Sequence, residues 1–393
     1  MSGWRECKLG DVLGVKHGLA FLGEHFADAG THIVLTPGNF FDEGGFKHKG
    51  DKEKWYTGPI PADYVLNQGD LLVAMTEQAE GLLGSSAIVP TDGLYLHNQR
   101  LGLVQIRDPE QADQRFVYYL FNSKPVRQQL RGSASGTKIR HTAPSRIAEV
   151  RVKVPPLPLQ QRIAGILSAY DELIENSQRR IRILESMARA LYREWFVHFR
   201  FPGHENHPRI ASPLGQIPRG WDVRAVEQIV LRRPAGTVYR EANVDPEGAT
   251  PVLDQSTKEI LGFHNNAPDH QASLETPMAI FGDHTCKMQL LIEPFSVGPN
   301  VVPFTARGEM PTTYVFYVVN SLITTQEYKR HWIPLNAKEV VVADLETAQR
   351  FASLIQPMLS AQEALRKLIR NLRRTRDLLV PRLLSGQIDL EAA

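Results

Sequence analysis

The sequence predicts an α+β protein: two mixed α/β domains separated by a pair of long antiparallel coiled-coil helices, arranged as a pseudo-twofold tandem repeat. Three recurrences carry this expectation. "QQRIAGIL" at 160–167 returns as "AQRFASLI" at 348–355, an offset of 188. "FVYYLFNS" at 116–123 returns as "YVFYVVNS" at 314–321, an offset of 198, and Gly-Trp at 3–4 returns at 220–221, an offset of 217. Unequal offsets in one order describe a duplication whose intervening segments have diverged in length. A chain of 393 residues also exceeds what one hydrophobic core usually supports.

The elements follow in order. A first domain over 1–154 carries strand-like "DYVLNQGDLLVAM" and "LGLVQI", broken by Gly, Asn and Asp turns, with "FVYYLFNS" as a short helix. A central long helix is expected over 155–200. Prolines 155, 156 and 158 forbid an earlier helical run and suit a first turn, and Pro202 and Gly203 in "FRFPGHENHP" stop it. Its apolar seam reads Ile163, Ile166, Tyr170, Leu173, Leu184, Met187 and Leu191. Ser177 and Arg180 interrupt that row, so the register is expected to shift to Ile174 and Ile181. A second domain over 201–345 has strand-like "TPMAIFG" and "NVVPF" and a short helix at "YVFYVVNS". A distal long helix over 346–386 repeats the heptad with Phe351, Leu354, Met358, Ala361, Leu365, Leu368, Leu372, Thr375 and Leu379 and ends at a Gly386 cap. Residues 387–393 are a tail. Each helix would be a rod of about 57 Å, and Pro357 and Pro381 predict a kink or a late start in the second. Two seams that cannot be buried alone are most simply buried against each other.

Composition excludes several classes. With 42% hydrophobic and 22% charged residues the chain is ordinary and globular. It has no apolar run of about 18 residues, and its opening "MSGWRECKLGDV" lacks the pattern of a signal peptide, so a cytoplasmic protein without membrane contact is expected. Cys7 and Cys286 form no spaced metal or redox motif and read as core residues. Because 45 Lys and Arg stand against 43 Asp and Glu, any nucleic-acid argument must be local.

Four blocks, "PLPLQQRIAGILSAYDELI", "LYREWFVHFRFPGHE", "GQIPRGWDV" and "LLVPRLLSGQIDL", closely resemble those of the specificity (S) subunit of type I restriction-modification systems. The "W…LGDV" opening and "GDLLVAM" resemble its first target-recognition domain, and "PVLDQST…GF" and "IFGDHTC" its second; the resemblance covers essentially the whole chain. It implies a non-catalytic subunit that binds double-stranded DNA, with each recognition domain reading one half of a bipartite target. It further implies that the paired helices space the domains and dock two methyltransferase (M) subunits, with restriction (R) subunits joining. The cofactor is S-adenosylmethionine on the partner methyltransferase; none is expected on this chain. The helix residues taken to serve docking are Gln161, Ile163, Tyr170, Leu184, Leu191, Phe351, Leu354, Leu365, Leu372 and Leu379.

Enzyme motifs do not oppose that reading. No Asn-Pro-Pro-aromatic tetrapeptide occurs. "GSASGTK" from Gly132 puts Lys138 one residue late for a phosphate loop and lacks the strand-loop-helix context. Glu327 and Lys329 form a Glu-x-Lys pair far from the nearest Pro-Asp at 268–269. Neither His198, His204 and His207 nor His284 with Cys286 has the four ligands and spacing of a structural zinc site, so metal is expected nowhere.

Phosphates are held by Lys, Arg, hydroxyls and backbone amides, and base edges by Arg, Lys, Asn and Gln. In the first domain the candidates are Lys47, Lys49, Lys52 and Lys54 with His48, beside Trp55 and Tyr56, where a solvated turn is the equal alternative. "RGSASGTKIRH" adds Arg131, Thr137, Lys138, Arg140 and His141 among small residues. In the second they are Arg232, Arg233, Tyr239 and Arg240, then Lys329, Arg330 and His331. The distal helix holds eight basic against three acidic residues between 346 and 384. A solvated face explains that, as do DNA beneath the rod and an acidic partner. The rival function is a coiled-coil scaffold with two non-DNA ligand-binding domains, which would show no salt-sensitive DNA binding.

Overall fold

The computed structural model describes residues 3–78, 80–136, 139–256, 259–320, 322–323, 329–388 and 390. Two compact units emerge, unit 1 from 1–174 with 370–393 and unit 2 from 175–369.

In unit 1, β1 (Arg5–Lys8) leads through a single helical turn, α1 (Leu9–Val12), into β2 (Leu13–His17). β3 (Leu71–Ala74), β4 (Thr76–Glu77), β5 (Ser86–Ile88) and β6 (Leu101–Ile106) follow, then α2 (Gln114–Phe121), α3 (Lys124–Ser133), β7 (Arg140–His141), α4 (Pro144–Ala148) and β8 (Arg151–Val154). An antiparallel sheet has the order β2-β6-β3-β5, β1 pairs with β8, and β7 pairs with β4. All four residues of β3 are buried, as expected of a strand with both faces covered. The Asp113 side chain caps α2 by accepting the Phe116 N–H at 2.8 Å, and Phe116, Leu120 and Phe121 turn inward. A smaller sheet joins Phe26–Ala27, Trp55–Tyr56, His32–Val34 and Tyr95–Leu96.

Beside that smaller sheet His97 is fully buried. Its Nε2–H donates to the Leu101 carbonyl at 2.9 Å, while Nδ1 has no hydrogen-bond partner among the described residues. Burial, with Lys16 and His17 also opposing the charged form, pushes the imidazole pKa down to about 4. A histidine held neutral contributes stability that is fully present above its unfolded value near 6.5 and is lost as pH falls from there toward 4. We expect unit 1 to lose about 3 kcal/mol across that window. Urea denaturation at stepped pH checks this, and His97→Gln should flatten the dependence; an unchanged slope in that variant would exclude His97 as its source.

In unit 2, a central helix that began in unit 1, α5 (Leu157–Tyr192), ends in a single π-turn at Arg193–Val197. β9 (Asp222–Ala225), α6 (Val226–Ile229), β10 (Val230–Arg232), β11 (Met278–Gly282), β12 (Met288–Leu291), β13 (Val301–Ala306), α7 (Thr312–Val319), α8 (Trp332–Asn336) and β14 (Glu339–Val342) precede a distal helix, α9 (Leu345–Leu384). The sheet order is β10-β13-β11-β12, and β9 pairs with β14. Asp344 caps α9, accepting from the Thr347 N–H at 2.8 Å, the Thr347 hydroxyl at 2.9 Å and the Trp221 indole at 2.9 Å. Burial would raise its pKa, but these donors outweigh burial and hold it below the ordinary carboxylate value.

Several expectations need correction. α9 starts at Leu345 and runs unbroken through Pro357 and Pro381, so there is no late start. Its buried row is Phe351, Ile355, Gln362, Leu365 and Ile369, while Leu354 and Leu368 are 49% and 43% exposed and Thr375 faces solvent. On α5 the buried residues are Gln160, Ile163, Ala164, Leu167, Ile174, Ser177 and Ala188, with Leu173 and Met187 about half exposed. Ile174 is buried and Ile181 half-buried, and Ser177 lies within the buried row rather than interrupting it. Cys7 and Cys286 are half-buried rather than core, with Cys286 at a positive φ in the β11–β12 turn.

Candidate nucleic-acid interface

In unit 1 the segment 36–54 is braced from within. Asn39, fully buried, donates to Glu53 Oε2 at 2.9 Å, and the Lys49 backbone N–H donates to Glu53 Oε1 at 2.6 Å. The Lys49 ammonium donates to Thr36 Oγ1 at 3.3 Å, and burial lowers its pKa, so it braces the segment rather than projecting from it. Lys47 and Lys54 set their ammoniums over the rings of Phe41 and Phe26, at 5.8 and 5.6 Å, which costs little of their exposure. Lys52 ends a short 3₁₀ turn at the surface.

A second cluster is built on Glu77. Its side chain is 3% exposed and accepts the backbone N–H groups of Gly81 and Leu83 at 3.1 and 2.8 Å. Arg131 approaches Glu77 at 3.8 Å and Glu80 at 3.1 Å, so this candidate is already partnered and holds the β4–β5 connection in place. Arg127 donates to the carbonyls of Asp42 (2.9 Å) and Gly81, with its pKa lowered to about 10 by burial and then by Arg131. The Asp42 contact joins the two clusters, because Asp42 neighbours the Phe41 ring beneath Lys47. Arg140 and His141 are exposed on β7, opposite Glu77 and Thr76. Thr137 and Lys138 lie outside the described residues.

Unit 2 sorts its candidates differently. Arg232 and Arg240 are exposed, and Arg233 Nε donates to Thr305 Oγ1 at 3.1 Å. Tyr239 is 8% exposed and stacks flat on His264, centroids 4.1 Å apart, so its ring belongs to the core. His331 is 3% exposed, its backbone N–H donating to Asp283 Oδ1 at 3.0 Å; it anchors α8 instead of facing outward. Arg330 is 79% exposed with Nε 3.9 Å from Asp283 Oδ2, and Lys329 is exposed. Glu327 lies outside the described residues. Of the histidines weighed for metal, His204 Nδ1 contacts the Phe201 carbonyl and His207 Nε2 the Arg219 carbonyl, both as turn contacts.

The two units therefore present one arrangement twice. An Arg-His step meets the end of the central strand just before a short helix in each: the backbones of Arg140 and His141 pair with Glu77 and Thr76 in unit 1, and in unit 2 the Asp283 carboxylate lies near Arg330 and accepts the His331 N–H. Sequence reasoning named the arginines but missed both carboxylates. The available signal was the Arg-His dipeptide itself, whose offset of 190 nearly equals that of the long helices.

A family model described as the type I restriction modification DNA specificity domain matches residues 1–186. The chain is 25% identical over 300 residues to the type I restriction enzyme MjaIX specificity subunit of Methanocaldococcus jannaschii, covering 70% of this chain and 69% of that one. It is 22% identical over 293 residues to the putative MjaX specificity subunit of the same organism, covering 68% and 64%. In fold it is similar to the crystal structure of a type I restriction-modification S subunit from M. genitalium, with a TM-score of 0.61, 14% identity and coverage of 97% and 96%. Residues 1–186 thus carry the match to a type I restriction modification DNA specificity domain, and the chain as a whole is similar to specificity subunits of type I restriction-modification systems.

Proposed function

We propose that the chain reads a bipartite DNA target, one half-site per globular domain, with α5 and α9 acting as an antiparallel coiled-coil spacer between them. The observation that carries this reading is the equivalence of the two sheets, β2-β6-β3-β5 and β10-β13-β11-β12, each followed by one long helix. Two domains alike in scaffold and unlike in loops suit one task performed on two ligands. Linking them makes the second contact effectively intramolecular, which gives the pair a selectivity neither has alone. The exposed cations, Lys47, Lys52, Lys54 and Arg140 in one domain and Arg232, Arg240, Lys329 and Arg330 in the other, are the proposed DNA contacts.

Methyltransferase and restriction subunits are the proposed protein partners. Ile163, Phe351 and Leu365 are buried within their own units and hold the helices in place; the exposed Gln161 and Leu354 remain available to a partner. The test is to insert one or two heptads into both long helices together and sequence the methylated sites. We expect a longer unspecified gap with both half-sites unchanged, and an unchanged gap would refute the spacer role.

A further inference from the structure

α5 and α9 are the two copies of one helix, each entered from its equivalent strand (β8 or β14), so residue 157 corresponds to 345 and the offset is 188 throughout. Duplicated helices carry a hazard. The first helix of one chain can in principle pair with the first helix of another, and likewise the last with the last. Apolar seams alone do not distinguish these pairings, whereas a polar position within a seam does.

An ion pair crosses the helices in each unit. In unit 1, Arg376 Nη1 lies 2.7 Å from Asp171 Oδ1, and the hydroxyl of Tyr119, on α2, donates to Asp171 Oδ2 at 2.7 Å. Arg376 and Asp171 are only 21% and 30% exposed. In unit 2, Arg366 Nη2 lies 3.4 Å from Glu185 Oε1, both about one-third exposed. Neither pair is repeated in the other unit. The counterparts of Asp171, Arg376 and Tyr119 are Leu359, Ala188 and Tyr317, which lie together in the apolar core of unit 2. The counterparts of Glu185 and Arg366 are Arg373 and Gln178.

The consequence follows residue by residue. If two first helices paired, Asp171 would meet Ala188 of the second copy and Glu185 would meet its Gln178. If two last helices paired, Arg376 would meet Leu359 and Arg366 would meet Arg373, a like charge. Every mismatched pairing removes a partner across the helices: Asp171 would face an alanine, while Arg376, Glu185 and Arg366 would keep only neighbours on their own helices, Asp377, Arg189 and Glu363. We propose that Asp171–Arg376, held by Tyr119 and seconded by Glu185–Arg366, restricts each long helix to the other long helix and rejects a second copy of itself.

The test uses the full-length chain. Asp171→Arg and Arg376→Asp, made separately with different affinity tags, are each expected to melt roughly 10 °C lower. Combined in one chain they should recover most of that loss. Co-expressed as two single variants, they should be captured together at equal stoichiometry and above any exchange between differently tagged unchanged chains, because only the interchain arrangement restores opposite charges. If the single reversals do not accumulate in soluble form, Asp171→Leu/Arg376→Ala decides, since it copies the unit 2 layer into unit 1. That variant should melt at or above the unchanged chain yet yield a larger fraction of interchain species on refolding at high concentration. Single reversals that melt like the unchanged chain, or an apolar double variant that refolds to the same distribution, overturn the proposal.

Discussion

Phe351→Ala is expected to destabilise unit 2 by about 3–5 kcal/mol, the range for removing a fully buried aromatic ring. Phe351 has no exposed surface, and its ring meets those of Phe196 and Tyr317 edge-on at 5.1 and 5.5 Å, with Tyr192, Trp195 and Tyr314 within 6.5 Å. A hole there withdraws contacts from the end of α5, from α7 and from α9 together, and these cannot all collapse inward. Since whole domains are stable by only about 5–15 kcal/mol, the loss takes a large share of the total. Urea denaturation measures it as a lower midpoint at similar slope. Leu354→Ala, three residues on, should stay within about 0.5 kcal/mol because that side chain is half exposed. A comparable loss at both positions would mean that the buried face of α9 has been misplaced.

That comparison also separates what the sequence makes legible from what it hides. The two long helices and the short helices at Gln114–Phe121 and Thr312–Val319 all follow from local patterning, and "LGLVQI" is a strand throughout. The facing of α9 does not. From Phe351, Leu365 and Leu379 two heptad rows are possible, one through Leu354, Ala361, Leu368 and Thr375 and one through Ile355, Gln362, Ile369 and Arg376. Hydrophobicity favours the first because Gln362 and Arg376 are polar. The folded chain uses the second: Gln362 is 3% exposed, and Arg376 enters the row because Asp171 waits for it. A partner distant in sequence made a charged residue acceptable inside, and a pattern read along one helix carries no trace of it. Tyr239 and His331 were misread for a related reason. Both look like surface contacts in their own segments, and both are buried by residues far away, His264 and Asp283. Pro357 and Pro381 each remove one backbone donor, a local cost that the packing of a 40-residue helix overrides.

Arg140→Ala and Arg330→Ala are expected to weaken DNA binding by about tenfold each and to do so independently, the first against one half-site and the second against the other. Each arginine extends into solvent from a backbone fixed at the end of a central strand, so its loss removes a contact without disturbing the fold. Binding is measured on duplexes in which one half of the target, identified from the methylated sites, is scrambled while the other is kept. With the first half-site scrambled, a contact confined to that half has nothing left to lose, so the corresponding variant should match the unchanged chain. A phosphate contact would in addition lower the salt slope by about one. Tyr239→Phe is the internal comparison: its ring is held in the core against His264, and its hydroxyl accepts from the Asn266 side chain at 3.4 Å, so affinity should not move. If both arginine variants bind as the unchanged chain does while Lys47→Ala or Arg232→Ala loses affinity, then the end of the central strand is not where the domains meet DNA. The reading surface would then lie on the segments that carry those residues, 36–54 in unit 1 and the β10 end in unit 2.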